Sequence, residues 1–422
     1  IRPGPNQGDM VHPYLARRAG KEPVTYLHPD LEPILKRTLG VALFQEQLLR
    51  IAMVIAGFTA PEAEELRRAL SDMRSKERME RVADRLRLRM RERNHGEELI
   101  EKILQSMRSF ALYGFPESHA ISFALIAYAS AWMKVHRAAE FYASLLNNQP
   151  MGFYSSATLI RDARGRGLRV LPVAVLHSQW RCTVVDDGMV RLGLCMIREL
   201  SVAHGEALLR QREAQPFATM ADFQRRAGLN RDELRALARA GALQGLAAHR
   251  REALWQVQEP VEEDLFSLAA ARDVQSAASA GCPLTPMTTE ERLEADFSTT
   301  RVTVGPHPMQ FLRTQLPNAW TAAELRQAAH DSYLETAGMV ICRQRPGTAK
   351  GFVFLSLEDE SGISNIIVSP GLYERHRLLI AAEAFLRIEG VVQQNEGVTH
   401  LRAQGIRALP STLPATASHD FH

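Results

Sequence analysis

The stretch Tyr113-Gly-Phe-Pro-Glu-Ser-His-Ala-Ile-Ser-Phe-Ala124 decides how the rest of the chain is read. An aromatic and a glycine lead into a turn. Pro116 follows where a helix can start, because its missing N–H would be unpaired there anyway. Ser118 and His119 fall in the first turn, and an apolar, alanine-rich sequence continues the helix to about Leu146. A helix N-terminus presents unpaired N–H groups and a partial positive charge, so it attracts anions such as phosphate. Tyr113 adds a flat face for a base or sugar. A phosphate end beside a stacking face outlines a nucleotide site. The competing structural reading is an ordinary Tyr-Gly turn before a packed helix, with a capping histidine.

Upstream, residues 1–30 read as loop, dominated by proline, glycine and short polar clusters. Helical periodicity then runs from Leu31 to about Leu168. Thr59-Ala-Pro-Glu62 is a capping box with Pro61 just inside the helix start, and that helix carries Arg67 and Arg68 near its far end. Residues 67–93 hold 11 Lys or Arg against 5 Asp or Glu. Such a run is either a solvated helix face or, lying between two nucleotide elements, a phosphate-facing surface.

Downstream, Val170-Leu-Pro172 and Met189–Leu194 are strand-like. Short helices with tight turns follow at Ser201–Arg212, Thr219–Gly228 and Arg231–Ala240. Residues 259–332 form a mixed connector, within which Gly305-Pro-His-Pro-Met309 has no assignable chemical role. From Tyr333 to Leu409 come five strand-like runs, with a helical stretch at Gly371–Leu379 before the last two. Five short strands with one helix is the layout of an OB barrel, a fold that binds single strands through basic and aromatic groups on one face. Arg343, Arg345 and Lys350 are placed on its first long loop. Phe352 and Phe354, on the next strand, are either core or base platform. The tail from Pro410 is expected to be disordered.

The 422 residues, 45% of them hydrophobic, suffice for roughly three soluble domains. A net charge of +3 is too small to argue nucleic-acid binding by itself. The four cysteines, at 182, 195, 282 and 342, form no CxxC pair, which speaks against a zinc site or a disulfide framework and for a reducing cytosol. No apolar run approaches the ~20 residues of a membrane helix, and no signal peptide is present, so a cytoplasmic protein without a membrane partner is expected. No P-loop, dinucleotide fingerprint or HExxH occurs. Asp186-Asp187 and Glu358-Asp-Glu360 read as turn chemistry rather than as paired metal-binding carboxylates.

The run Tyr113–Ala124, with Trp132-Met-Lys134-Val-His136 behind it, resembles the fingers of the bacterial family C DNA polymerases, the polymerase III alpha subunits, and most of all their error-prone, damage-inducible branch. Arg2-Pro-Gly-Pro-Asn-Gln-Gly-Asp-Met10 resembles the end of that family's palm. Leu39–Gln47 and Leu66–Leu70 resemble its early fingers helices, and Arg343–Gly351 with Leu357–Gly362 resembles the branch's OB domain. The resemblance implies a multidomain, mainly α fold. Its parts are the end of palm at 1–30, helical fingers at 31–168, a tandem helix-hairpin-helix domain at 169–258, the connector at 259–332, an OB domain at 333–409 and the tail at 410–422.

It further implies a DNA-directed DNA polymerase acting in mutagenic, translesion synthesis, with dNTPs, primer-template DNA and single-stranded template as partners. Tyr113, Ser118, His119, Arg67 and Arg68 would bind the dNTP. The second hairpin, with Gly228, Asn230 and Arg231, is expected to contact DNA, as are Arg343, Arg345 and Lys350. In the first hairpin Glu199 replaces the expected glycine, and its carboxylate should repel phosphate. Glu262-Glu-Asp-Leu-Phe266 resembles the sliding-clamp pentapeptide, with Leu265 and Phe266 as its apolar pair, but Glu262 stands where a Gln belongs. An acidic linker explains this segment equally well. Other proteins of a mutagenic repair complex are further implied partners. The family's Asp-x-Asp palm cluster is absent. Catalytic residues and the Mg²⁺ site are therefore expected in a palm preceding Ile1, and the chain, opening inside a motif without methionine, is expected to be one part of a longer product. The alternative is a non-catalytic DNA-binding protein of hairpin and OB modules, or a helical scaffold for proteins.

Overall fold

The computed structural model describes residues 11–71, 76–111, 116–152, 154–259, 283–347, 349–395, 397–415 and 418–421. The chain divides into two compact units, Ile1–Ala131 and Trp132–His422. The first is helical: α1 (Val11–Arg18), α2 (Glu32–Leu35), α3 (Gln45–Ile55), α4 (Ala60–Ser71), α5 (Lys76–Glu92), α6 (Glu97–Ala111) and the start of α7 (Glu117–His136). Its core follows helical spacing. Leu48, Ile51, Ala52 and Ile55 of α3 meet Leu86 and Met90 of α5 and Ile100, Ile103, Leu104 and Met107 of α6. Half of the expected capping box is present: the Thr59 N–H donates to the Glu62 carboxylate at 2.8 Å, and the Thr59 hydroxyl donates to it at 2.9 Å instead of accepting from the Glu62 N–H.

Two expectations fail here. Residues 11–18 are helical rather than loop, because Pro13 falls in the first turn, where its missing N–H costs nothing, and Arg17 and Arg18 sit at the favourable C-terminal end. The helix from Glu117 also stops short of Leu146. Arg137, at φ −140° and ψ 53°, separates α7 from α8 (Ala138–Asn147). The buried face of α8, formed by Ala139, Tyr142, Ala143 and Leu146, packs into a core with Ile160 and Val190, and that tertiary packing overrides the local alanine-rich preference.

In the second unit α9 (Ser156–Gly165) precedes a small sheet of β1 (Arg169–Leu171), β2 (Thr183–Asp186) and β3 (Met189–Arg191), in the order β1-β3-β2. Asp187-Gly188 makes the β2–β3 turn, and Asp186, the last residue of β2, accepts from the Asp187 N–H at 2.8 Å. Then come α10 (Val202–Ala214), α11 (Met220–Ala227), α12 (Arg231–Arg239) and α13 (Arg250–Gln256), followed by α14 (Thr289–Thr300), α15 (Pro308–Leu312) and α16 (Ala322–Leu325).

The C-terminal barrel comprises β4 (Tyr333–Gln344), β5 (Val353–Glu358), β6 (Ile363–Val368), α17 (Pro370–Ala382), β7 (Phe385–Asn395) and β8 (Val398–Ala408). The strand order β5-β6-β8-β7-β4, with β4 pairing back to β5, closes it. The β6–β8 pair is parallel and the rest are antiparallel, which is the OB topology. At the β7 bulge a Cβ on Gly390 would lie 2.1 Å from the Arg402 carbonyl oxygen, so only glycine fits. The tail is not wholly disordered: β9 (His419–Phe421) pairs in parallel with Cys342–Gln344 of β4.

The β5–β6 hairpin is more than turn chemistry. Asp359 accepts from the N–H groups of Ser361 and Gly362, as a turn aspartate does. Arg313 also forks onto Asp359 (3.1 Å) and Glu360 (2.7 Å), and buried Glu358 faces Arg161 of α9 (3.3 Å) and His307 (3.7 Å). The Gly305–Met309 segment thereby gains a structural role. His307 Nδ1 accepts from the Met309 N–H, capping α15, while its ring turns toward the barrel.

Candidate nucleic-acid interface

The start of α7 holds an anion, but a carboxylate of the chain itself. Glu46, the second residue of α3, accepts from the N–H of Glu117 at 2.8 and 2.9 Å and from that of Ser118 at 3.5 Å. Arg37 pairs with the Glu117 side chain. His119 is exposed and its ring lies 4.4 Å from that of Phe123. The residue beside Glu46 reaches the other half of the expected site, since Gln45 Nε2 donates to the Arg67 carbonyl at 3.3 Å. The N-terminal turn of α3 therefore touches both the α7 start and the backbone of Arg67. Those arginines also hold a carboxylate. Glu64 accepts from Arg67 Nε and Nη2 at 2.8 Å each and from Arg68 Nε at 3.1 Å. These hydrogen bonds pull the Glu64 pKa down to about 2. Tyr113 lies outside the described residues, as do Leu265 and Phe266.

The arginine run of α5 is not an open phosphate face. Arg85, Arg87, Arg89 and Arg91 pair with Glu65, Glu101, Glu62 and Glu97 on the neighbouring helices. Exposed pairs of this kind contribute little stability, but they occupy the charges.

The hairpin module is organised around Glu233, which is 2% exposed. Its carboxylate accepts from the N–H of Ser201, the N-cap of α10, at 3.1 Å and from that of Asn230, the N-cap of α12, at 3.0 Å. It also meets His204 Nδ1 at 2.7 Å. Burial pushes its pKa up, but the Asn230 and Ser201 N–H groups and the His204 ring outweigh that and hold it below the usual carboxylate value. The first hairpin is thus spent internally, since the Arg198 N–H also donates to the Thr299 carbonyl. In the second, Gly228 takes the left-handed conformation (φ +66°) that closes α11, and the Asn230 side chain caps α12. Arg231 is exposed. With Arg235 and Arg239 it forms an exposed stripe at i, i+4 and i+8, which puts all three on one face of α12. That spacing is readable in the sequence.

In the barrel, Arg343 belongs to β4 rather than to a loop and is not available to DNA. Its guanidinium donates to the carbonyls of Ile380 (2.6 Å) and Glu383 (2.7 Å) and to Ser418, and faces Asp420. Arg345 and Lys350 remain exposed, and Arg345 lies over the Tyr373 ring at 4.7 Å. The open question about Phe354 resolves outward, as it is 37% exposed. Strand register sets it in one row with Ile367 and Arg402 across β5, β6 and β8, and Arg402 is exposed. Among the described residues no group of three or more His, Cys, Asp or Glu could hold a metal ion, and no helix is long and apolar enough to cross a membrane.

Helix-hairpin-helix and OB modules, joined to a helical unit with an anion-holding helix start, define a protein that handles nucleic acid. Residues 1–94 match the bacterial DNA polymerase III alpha subunit finger domain, residues 167–253 a helix-hairpin-helix motif and residues 335–409 an OB-fold nucleic acid binding domain. Over its whole length the chain is 44% identical to the error-prone DNA polymerase of Dechloromonas aromatica, covering 41% of that protein. It is 42% identical to error-prone DNA polymerase 1 of Agrobacterium fabrum, covering 40% of it, and 43% identical to the error-prone DNA polymerase of Alkalilimnicola ehrlichii, covering 42%. The chain is similar over its whole length to these error-prone DNA polymerases, and it spans about two fifths of their length.

Proposed function

We propose that this chain is the nucleotide-closing and DNA-holding part of an error-prone DNA-directed DNA polymerase that extends primers across damaged template in the cytoplasm. The observation that carries the reading is the alignment of the whole chain with error-prone DNA polymerases. We divide it into end of palm (1–30), fingers (31–168), tandem hairpins (169–258), connector (259–332), OB domain (333–409) and tail (410–422).

The incoming dNTP stacks on Tyr113. Its triphosphate replaces the Glu46 carboxylate at the N–H groups of Glu117 and Ser118 and draws Arg67 and Arg68 from Glu64, with His119 donating a further hydrogen bond. Arginine forks match phosphate geometry and stabilise charge that develops on the leaving pyrophosphate. The hairpins, through Gly228, Asn230 and Arg231, and the OB face, through Arg345 and Lys350, hold the backbone and stacked bases of template and primer. Two-metal phosphoryl transfer calls for paired carboxylates holding ions about 4 Å apart. Among the described residues no cluster fits that demand, so we place Mg²⁺ outside this chain. Clamp recruitment through Leu265 and Phe266, and membership of a mutagenic repair complex, belong to the same reading.

The test is single-turnover incorporation by the full-length enzyme across dNTP concentrations. His119→Ala and Arg68→Ala are expected to lower the incorporation rate about ten- to a hundredfold, and Tyr113→Ala to weaken dNTP binding. Unchanged rate and affinity in all three would make the motif helix packing. The chain by itself is expected not to extend a primer.

A further inference from the structure

Cys182 and Cys195 are far apart by the usual sequence criteria, yet the fold brings them together. Cys182 is 4% exposed, and its backbone is clamped on both sides by Asn147, which donates to the Cys182 carbonyl (2.8 Å) and accepts from its N–H (2.7 Å). The segment 193–195 runs alongside. The Gly193 N–H donates to Cys182 Sγ at 3.4 Å, and the N–H groups of Leu194 and Cys195 donate to the carbonyls of Gln179 and Trp180 at 2.9 Å each. These bonds lay the segment that carries Cys195 against the one that carries Cys182. Their environments differ. The neighbouring Cys182 side chain and the Arg181 charge lower the Cys195 pKa against the effect of burial, while the Cys195 side chain and burial raise that of Cys182. Cys195 is also the partly exposed member. An accessible, thiolate-prone cysteine on a segment hydrogen-bonded to the one that carries a second cysteine has the arrangement of an oxidation-sensitive pair.

We propose that Cys182 and Cys195 form a modification site that a hydroperoxide converts to a reversible disulfide closing the β2–β3 loop. The Cys195 thiolate attacks a peroxide oxygen, the O–O bond breaks, and hydroxide leaves to give the sulfenic acid. The Cys182 sulfur then attacks the Cys195 sulfur, its proton goes to the departing hydroxyl, and water leaves. In sum, two thiols are oxidised, one hydrogen peroxide is reduced, and two waters form. The bond would tie the residue that leads directly into the first hairpin, Ile197–Leu200, to the segment clamped by Asn147.

The test is hydrogen peroxide added to the native chain, alkylation of the remaining thiols, and non-reducing peptide mapping. A Cys182–Cys195 linked peptide that dithiothreitol removes is the expected result. Cys182→Ser should leave Cys195 as a sulfenic acid trapped by dimedone, and Cys195→Ser should leave Cys182 reduced. A link that forms only after unfolding would overturn the proposal, and so would oxidation of Cys342 or Cys282 while Cys182 and Cys195 stay reduced. The wild-type map decides the question even if the buried serine variant fails to fold.

Discussion

The starts of α7 and α12 are both closed by a carboxylate, but the two carboxylates are held differently. Glu46 comes from another helix, 71 residues away, is partly exposed, and satisfies N–H groups at one helix start only. Glu233 belongs to the first turn of its own helix, is buried, and joins two helix starts and a histidine ring. A helix's positive end can receive a ligand only if the group already there can leave. On the proposed reading, the α7 start is the exchangeable anion site and the α10–α12 junction the structural joint, with DNA left to the exposed arginines around the second hairpin rather than to the N–H groups of the first.

The most disruptive way to break this comparison is Glu233→Ala. It leaves the N–H groups of Ser201 and Asn230 without their acceptor inside the module and should destabilise it by about 2–4 kcal/mol, read as earlier melting of the module and faster hydrogen exchange in α10 and α12. The pH dependence has a defined sign. The folded-state pKa of Glu233 is depressed, so its contribution is present above the ordinary carboxylate value and is lost as pH falls through the lower folded value. An unchanged melt after Glu233→Ala would mean that the junction is as exchangeable as the α7 start.

A second contrast lies within the barrel. Arg343→Ala should cost the barrel about 2–3 kcal/mol, because the carbonyls of Ile380 and Glu383 lose their donor, as a denaturant titration would record. Arg345→Ala and Lys350→Ala should stay within about 0.5 kcal/mol and instead weaken single-strand binding. Next in size, Arg231→Ala and Arg239→Ala should weaken duplex binding alike for all sequences and reduce the slope of log affinity against log salt by about one each. An unaltered slope would remove α12 from the interface. The smallest effect is expected of Glu46→Gln. It should tighten binding of inorganic triphosphate to the chain by about two- to fivefold, measured by calorimetry, with stability nearly unchanged. Weaker binding would make Glu46 part of the site rather than its occupant.

Much of the fold was legible because its signals are local. The 3, 4 and 7 spacing of Leu48, Ile51, Ala52 and Ile55, the Thr59–Glu62 box and the five alternating strands of the barrel each announce themselves within a dozen residues. What the sequence concealed depends on distant pairs. Glu46 on Glu117, Glu233 on Ser201 and Arg343 on Ser418 are long-range contacts that leave no pattern near either partner. The break at Arg137 carries no glycine or proline and follows from how α8 packs. The arginines of α4 and α5 look like a phosphate surface in sequence because the glutamates that engage several of them sit on neighbouring helices.

The tail strand β9 has a practical consequence. Residues 342–344 of β4 lie beyond the reach of β7, whose pairing with β4 ends at Met339, and β9 covers them on that side. Removing residues 410–422 would bare a short, unpaired edge, and an exposed edge is a template for joining sheets between molecules. A trimmed or tagged version of this chain should therefore be judged first by light scattering. Self-association would then report the missing strand before any loss of DNA binding could be interpreted.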